Sequence, residues 1–362
     1  MNNQIFKIFT FLVFTIIYCN AQNINIPDPV FKYYLTQELC IDKNGDGRMD
    51  DDVDTNDDGE VDLAEALLLK ILNIPSLQIK DLKGIEYFTY LEYIQCSEIE
   101  VDSISLTNLS KLEYLDCTSI GIKSIDLNGA QNLKRLVCYD NNLSKLDLQF
   151  VPQLEELQCG SNKITKLDLH YCPNLRRFDC DYNRLTNLDL TNFSKLEFVN
   201  AQWNFITAAS FENSPNIIEI VIDHNELTNL SFTDNSKLER LYCGDNKLTS
   251  LELKDISPMS ILFCNNNLLT SIDLKTVIFK ARALIDFREN PNLRYICCDV
   301  DFVADIDEVI RQFNIMNIEV NSYCSKEYNQ NINKMHGIVR YDIDKNNCNA
   351  NALTISNYVL LA

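Results

Sequence analysis

Residues 133–195 read LKRLVCYDNNLSKLDLQFVPQ, LEELQCGSNKITKLDLHYCPN and LRRFDCDYNRLTNLDLTNFSK, three successive lines of equal length. Each opens on an apolar pair three apart, reaches a Cys, then an Asn three further on, and closes on a second spaced apolar set around Leu-Asp-Leu. The Asn recurs at one interval as Asn141, Asn162, Asn183, Asn204, Asn225, Asn246 and Asn267. Three residues ahead of it stand Cys138, Cys159, Cys180, Ala201, Ile222, Cys243 and Cys264, a series that Cys96 and Cys117 extend backwards.

A fixed short period makes each unit one coil of a stack that cannot bury its apolar face alone. The segment L-x-x-L-x-C is too short for its own helix, which predicts a short strand with Leu and Cys inward. Stacking then gives a parallel sheet with ~4.8 Å between coils. The second half carries the same spacing, which predicts extended structure on the opposite side. The Asn marks the corner. Facing inward, its amide needs backbone partners or costs ~1–3 kcal/mol. Ile99 and Ile120 stand there in the first two units, so the Asn series starts at the third. The Cys series reads as packing, because Cys is small and readily buried. Parallel Cβ vectors in stacked coils are poor geometry for a disulfide.

These motifs resemble leucine-rich repeats, in the short cysteine-bearing form found in secreted bacterial proteins. The resemblance covers roughly residues 79–300 and implies a repeat solenoid with parallel β-strands on two sides and few helices. It also implies that the exposed sheet face binds a partner, without naming one.

Around the array the chain divides into four parts: a signal peptide over 1–21, an N-terminal cap over 22–78, the solenoid with an α/β C-terminal cap over 79–325, and a linker with an incomplete β-module over 326–362. Lys7, the apolar run from Ile8 to Tyr18 and the small residue Ala21 fit a secretory signal, so the mature chain is expected to be secreted or at a bacterial surface, with no transmembrane segment. The formal net charge of −20 excludes a nucleic-acid or anionic-lipid partner, since no basic stripe exists. Export implies an oxidising compartment, and a bridge from Cys297 or Cys298 to Cys324, with Cys298 preferred, would staple the C-terminal cap.

The acidic segment DKNGDGRMDDDVDTNDDGEVDLAE spans residues 42–65. Its second half matches the calcium-loop pattern D-x-[DN]-x-[DN]-G-x5-E throughout. Asp54, Asn56, Asp58, Glu60 (by its carbonyl), Asp62 and Glu65 would supply oxygens to a hard cation. The first half offers Asp42, Asn44, Asp46 and Asp50 but has Val53 where the closing carboxylate belongs. The segment resembles EF-hand and dockerin loops, with Ca2+ as the implied structural cofactor. The following ALLLKILNI reads as an exiting helix.

The outward positions of the leading strands turn aromatic and apolar from the fifth coil onward, with Tyr182, Phe198, Trp203, Val221, His224, Tyr242 and Phe263. This strip is either a surface for an extracellular protein or glycan or a stack that protects the sheet. The Leu-Asp-Leu acids Asp126, Asp147, Asp168 and Asp189 read as a solvated face. Catalysis is not expected. Carboxylates such as Asp179 and Glu156 lie on an open face, and His170, His224 and His336 lack metal spacing. The sequence thus points to binding or adhesion, with a passive structural role as the rival.

Overall fold

The computed structural model describes residues 22–41, 48–96, 98–253, 256, 258–322, 339–341 and 353–355. The leading segments of the repeat form one parallel sheet of eleven strands, running from Ile71–Ile74 to Phe279–Asp286. Its register advances by one repeat per strand. Leu136 pairs with Leu157, Leu157 with Phe178 and Phe178 with Val199. All four are fully buried. The side-chain period of two fixes this register, since a one-residue slip would expose every Leu.

The opposite side is extended only in places. Ser103–Ser105 pairs with Ser124–Asp126, and Asn187–Asp189 with Ala208–Ser210. Toward the C-terminal end Ser250–Glu252, Ser271–Leu274, Tyr295–Cys298 and Glu319–Asn321 make a four-stranded sheet. The exposed acids of Leu-Asp-Leu do more than face solvent. Asp126, Asp147, Asp168 and Asp189 each accept the N–H two residues on, from Asn128, Gln149, His170 and Thr191. Such Asx turns redirect the chain toward the next coil.

The corner asparagines are 3–8% exposed and form an unbroken ladder. Asn183 donates to Cys159 O at 2.9 Å, Cys180 O at 3.2 Å and Asp181 O at 3.2 Å, and accepts from Ile164 N at 2.9 Å. One amide thus sews its own coil to the preceding one. Cys96, Cys117, Cys138, Cys159, Cys180, Cys243 and Cys264 are buried free thiols. Burial pushes Cys138 up to about 12 and Cys159 well above the ordinary thiol value, so they are packing groups rather than nucleophiles.

At three places the chain departs from the periodic reading. The helix after the acidic segment covers only Leu63–Ala66, and Ile71–Ile74 within ALLLKILNI is instead the first strand of the large sheet. Residues 275–292 hold a complete coil. Phe279–Asp286 is its leading strand, buried Phe287 takes the thiol position and Asn290 takes the corner, donating to Cys264 O at 3.0 Å. Two extra residues before Asn290 break the interval and hide this rung. Finally, Cys298 is not part of the thiol ladder and is not in a disulfide. It is a buried free cysteine on the second sheet, opposite Leu274. Successive strand residues face opposite ways, so Cys298 takes the core position, and its neighbour Cys297 is the disulfide-bonded one. Cys324 lies outside the described residues.

The chain divides into two compact units, residues 1–322 and 323–362. In the second, Val339–Tyr341 pairs antiparallel with Leu353–Ile355. In the first, the N-terminal cap is built on a helix over Pro29–Gln37. Asp28 caps it, accepting from Val30 N and Phe31 N through Oδ1 and from Lys80 N and Asp81 N through Oδ2. One carboxylate therefore joins helix to solenoid.

Candidate binding face and calcium loop

The seven aromatic and apolar candidates fall on three lines. Val221, Tyr242 and Phe263 are register partners on adjacent strands and half-buried, with the Tyr242 and Phe263 rings edge to face at 5.4 Å. Phe198 stands on the neighbouring line beneath the Arg177 guanidinium, 3.9 Å from its ring centroid. Arg135, Glu156 and Arg177 continue that line as ion pairs, with Arg135 to Glu156 at 3.0 Å and Glu156 to Arg177 at 3.6 Å. Phe198 is thus one rung of a packed ladder that runs on through Glu219 to Arg240, as the protective reading expects.

Tyr182, Trp203 and His224 form the third line, in the turn just before the corner Asn. The rings stack, Tyr182 on Trp203 at 5.6 Å and Trp203 on His224 at 3.8 Å. Trp203 has a ring on each side, and Tyr182 and Trp203 remain 48% and 45% exposed. The backbone at this position is left-handed in every coil: φ is 55° at Ser119, 53° at Asp140, 50° at Ser161, 48° at Tyr182, 55° at Trp203 and 53° at His224. Small polar residues tolerate this region best, and bulky ones are outliers there.

Beside the stack lies a set of carboxylates of which the sequence reading named only Asp179. Asp179 and Asp181 face each other, with Asn200 Nδ2 donating to Asp179 Oδ1 at 3.2 Å. Burial and then the charge of Asp179 push Asp181 up to about 6. Its Oδ1 is buried without a hydrogen-bond partner. It lies over Gly160, where an added Cβ would meet it at 2.0 Å and the Tyr139 ring at 2.6 Å. One coil on from Gln202, burial pushes Asp223 to about 6, although it accepts from Gly244 N at 2.8 Å. Asp245 stands 3.6 Å from His224 Nε2. Phe205, 56% exposed, adds a further aromatic just past Asn204. Reading the outward positions two by two from Asp179 would have found Asp181.

The acidic loop 54–65 is closed by hydrogen bonds among its own residues. Asp54 accepts from Asp58 N and Gly59 N, Asn56 from Asp58 N, and Asp58 from Glu60 N. Gly59 has φ +79 with open space around it. Asp62 caps the helix Leu63–Ala66 in a box with Glu65, whose Oε1 also reaches Asn56 N at 3.3 Å. Where a paired loop would pair its partner, Val61 O accepts from Ile24 N at 2.7 Å. The residue types suit a calcium shell, with Asp62 and Glu65 engaged in the helix cap and Asp54 and Asp58 turned to N–H groups of their own loop. Among the described residues no three His, Cys, Asp or Glu side chains converge as ligands. Of the weaker loop, Asp42, Asn44 and Asp46 lie outside the described residues. Asp50 N bonds Ile41 O at 2.8 Å, closing the loop at its base.

Residues 152–211 match the family of leucine rich repeats in two copies. The fold is a leucine-rich-repeat solenoid. Among solved structures, the chain is similar to the functional domain of InlJ from Listeria monocytogenes, which includes a cysteine ladder: 21% identity, TM-score 0.42, covering 72% of this chain and 74% of that one. It is also similar to the internalin InlF from the same organism, at 19% identity and TM-score 0.44 over 77% and 98%. The leucine-rich repeat domain of APL1B gives 19% identity and TM-score 0.45 over 64% and 76%. No curated protein matches the chain in sequence. Among the described residues no helix is long and apolar enough to cross a membrane.

Proposed function

We propose that this leucine-rich-repeat protein is exported and works by binding, recognising an extracellular protein or glycan through the outward face of the large sheet. The observation that carries this reading is the aromatic triplet Tyr182, Trp203 and His224 in left-handed turns. Other coils fill this position with Ser119, Asp140, Ser161, Asp245 or Asn266, so the fold does not need an aromatic there. Holding large rings in that backbone region costs of order 1–3 kcal/mol each, and about half of the surface of Tyr182 and Trp203 stays in water. Exposed aromatic groups at a sheet face are the usual anchors of an interface. Calcium, in this reading, is structural. Asp54, Asn56, Asp58, Glu60, Asp62 and Glu65 would hold it and so order the cap over the first strand.

The experiment is capture of extracellular proteins and glycans on an array by residues 22–362, for the wild type and for a Tyr182→Ala, Trp203→Ala double variant. Loss of capture with an unchanged far-UV spectrum supports the assignment. Equal capture by both would rule this face out.

A further inference from the structure

The sheet face is divided by charge. On the line through Arg135, Arg177 and Arg240 each guanidinium has a partner, Glu156 or Phe198 or, for Arg240, Glu219 at 2.9 Å. The other outward positions, at the ends of the leading strands and in the turns that follow, contain no Lys or Arg from Gln95 to Asn266. They hold Asp116, Asp140, Asp179, Asp181, Asp223 and Asp245, interleaved with the aromatic stack. The one group in that lane able to carry a positive charge is His224, beside Asp245. On the neighbouring lines Glu92, Glu113, Glu197 and Glu219 each pair with a base one coil away, so the missing bases are a property of this lane and not of the repeat.

The lane also holds one buried oxygen that the fold leaves unsatisfied. Asp181 is 7% exposed, and its Oδ1 has no donor. It sits in the hollow that Gly160 leaves open. Asp179 is held close beside it, and Asp245 adds its charge to that of Asp223. Arg177 and His224 offset part of this charge, but like charges held close in a half-buried site still cost free energy, which an arriving cation would relieve. The carboxylates are not gathered as metal ligands. Aromatic edges and carboxylates in alternation suit an extended organic cation instead, since guanidinium and ammonium groups pair with carboxylates and rest against rings.

We propose that the acidic lane along Asp179, Asp181, Asp223 and Asp245 docks a polypeptide bearing exposed arginine or lysine side chains. This rests on the sheet face being the binding face and narrows its ligand to a basic protein segment. A neutral glycan would bring the carboxylates no counter-charge and would find a ring already on each side of Trp203.

Trp203 is the chain's only tryptophan, so its emission reports on the lane directly. The probes are hexa-arginine, hexaglutamate and a neutral β-glucan oligosaccharide, titrated at low and high salt and checked by calorimetry. Hexa-arginine should change Trp203 emission and bind more weakly as salt rises. The Asp181→Asn, Asp223→Asn double variant should bind it at least about tenfold more weakly. Asp126→Asn, on the opposite side, should bind as the wild type does. Equal binding by the double variant, no binding of hexa-arginine, or a response to the oligosaccharide alone would overturn the proposal. If array capture depends on Tyr182 and Trp203 while hexa-arginine fails, the cationic ligand is wrong and the face stands. If hexa-arginine binds through the aspartates while capture ignores Tyr182 and Trp203, the lane stands and the aromatic assignment falls.

Discussion

Removing a corner asparagine should cost most at the start of the ladder, not in its middle. In the middle, the carbonyls that Asn183 serves have second donors. Cys159 O also receives Asn162 Nδ2, Cys180 O receives Asn204 Nδ2, and Asp181 O receives Ser161 N. Asn183→Ala therefore orphans one buried group, Ile164 N. Asn141 has no asparagine before it, because Ile120 occupies that corner. Its Oδ1 accepts from both Ile120 N and Ile122 N, and its Nδ2 donates to Cys117 O at 2.8 Å. Asn141→Ala leaves all three without a partner. At about 1–3 kcal/mol for each buried unsatisfied group, with a few tenths for each carbonyl that keeps one bond, Asn183→Ala should cost roughly 2–4 kcal/mol and Asn141→Ala roughly 4–10. Equilibrium urea unfolding of both variants, with slopes compared to exclude partial unfolding of the stack, measures the difference. Equal losses, or a larger loss at Asn183, would refute the accounting by shared carbonyls.

Three further outcomes follow from the carboxylates. Asp181 and Asp223 have folded values of about 6, above the ordinary 3.8, so the stability they lend is full below pH 4 and lost as pH rises through 6. At pH 7 Asp181→Asn should raise stability by about 1–2 kcal/mol, discounted for solvent near the pair, and the gain over wild type should vanish near pH 4 in thermal melts. Asp28 is the opposite case. Burial alone would raise it, but four backbone N–H groups hold it below 3.8. Its contribution is present above that value and lost as pH falls through the folded value. Asp28→Ala should cost about 1–3 kcal/mol at pH 7, read from urea midpoints, and less at pH 3. For the acidic loop, EDTA should lower the melting temperature and added calcium restore it. Asp54→Ala should abolish that response, while an unchanged melt in EDTA would count against a structural ion.

The period made the stack legible because burial enforces it: a coil with its Leu or Asn displaced by one residue exposes its core. The reading failed where the interval changed but the physics did not. Asn290 makes the same bonds as Asn267 after two extra residues, so hydrogen bonding, not spacing, identifies the rung. The bridge falls to Cys297 and not Cys298 because successive residues of the strand Tyr295–Cys298 face opposite ways and Cys298 is the one that joins the core. The short helix after the loop lost to tertiary context, since Ile71–Ile74 gains a strand partner in Tyr93–Cys96.

The candidate site was half legible, and the division has a physical cause. Aromatic residues declare themselves one at a time, so the stack could be named from composition along the strand. Charge compensation is a relation between coils, from Arg135 to Glu156 to Arg177, and it shows only when residues one repeat apart are read as neighbours. Read that way, a line with every base paired and an adjacent line with no Lys or Arg are two different surfaces on one sheet. The first resembles what any stable stack requires. The second keeps carboxylates close together at a cost to the folded state, and Asp181→Asn tests that cost independently of any ligand. A gain in stability from that substitution, combined with a loss of cation binding, is the pair of results that a merely decorative acidic surface could not produce.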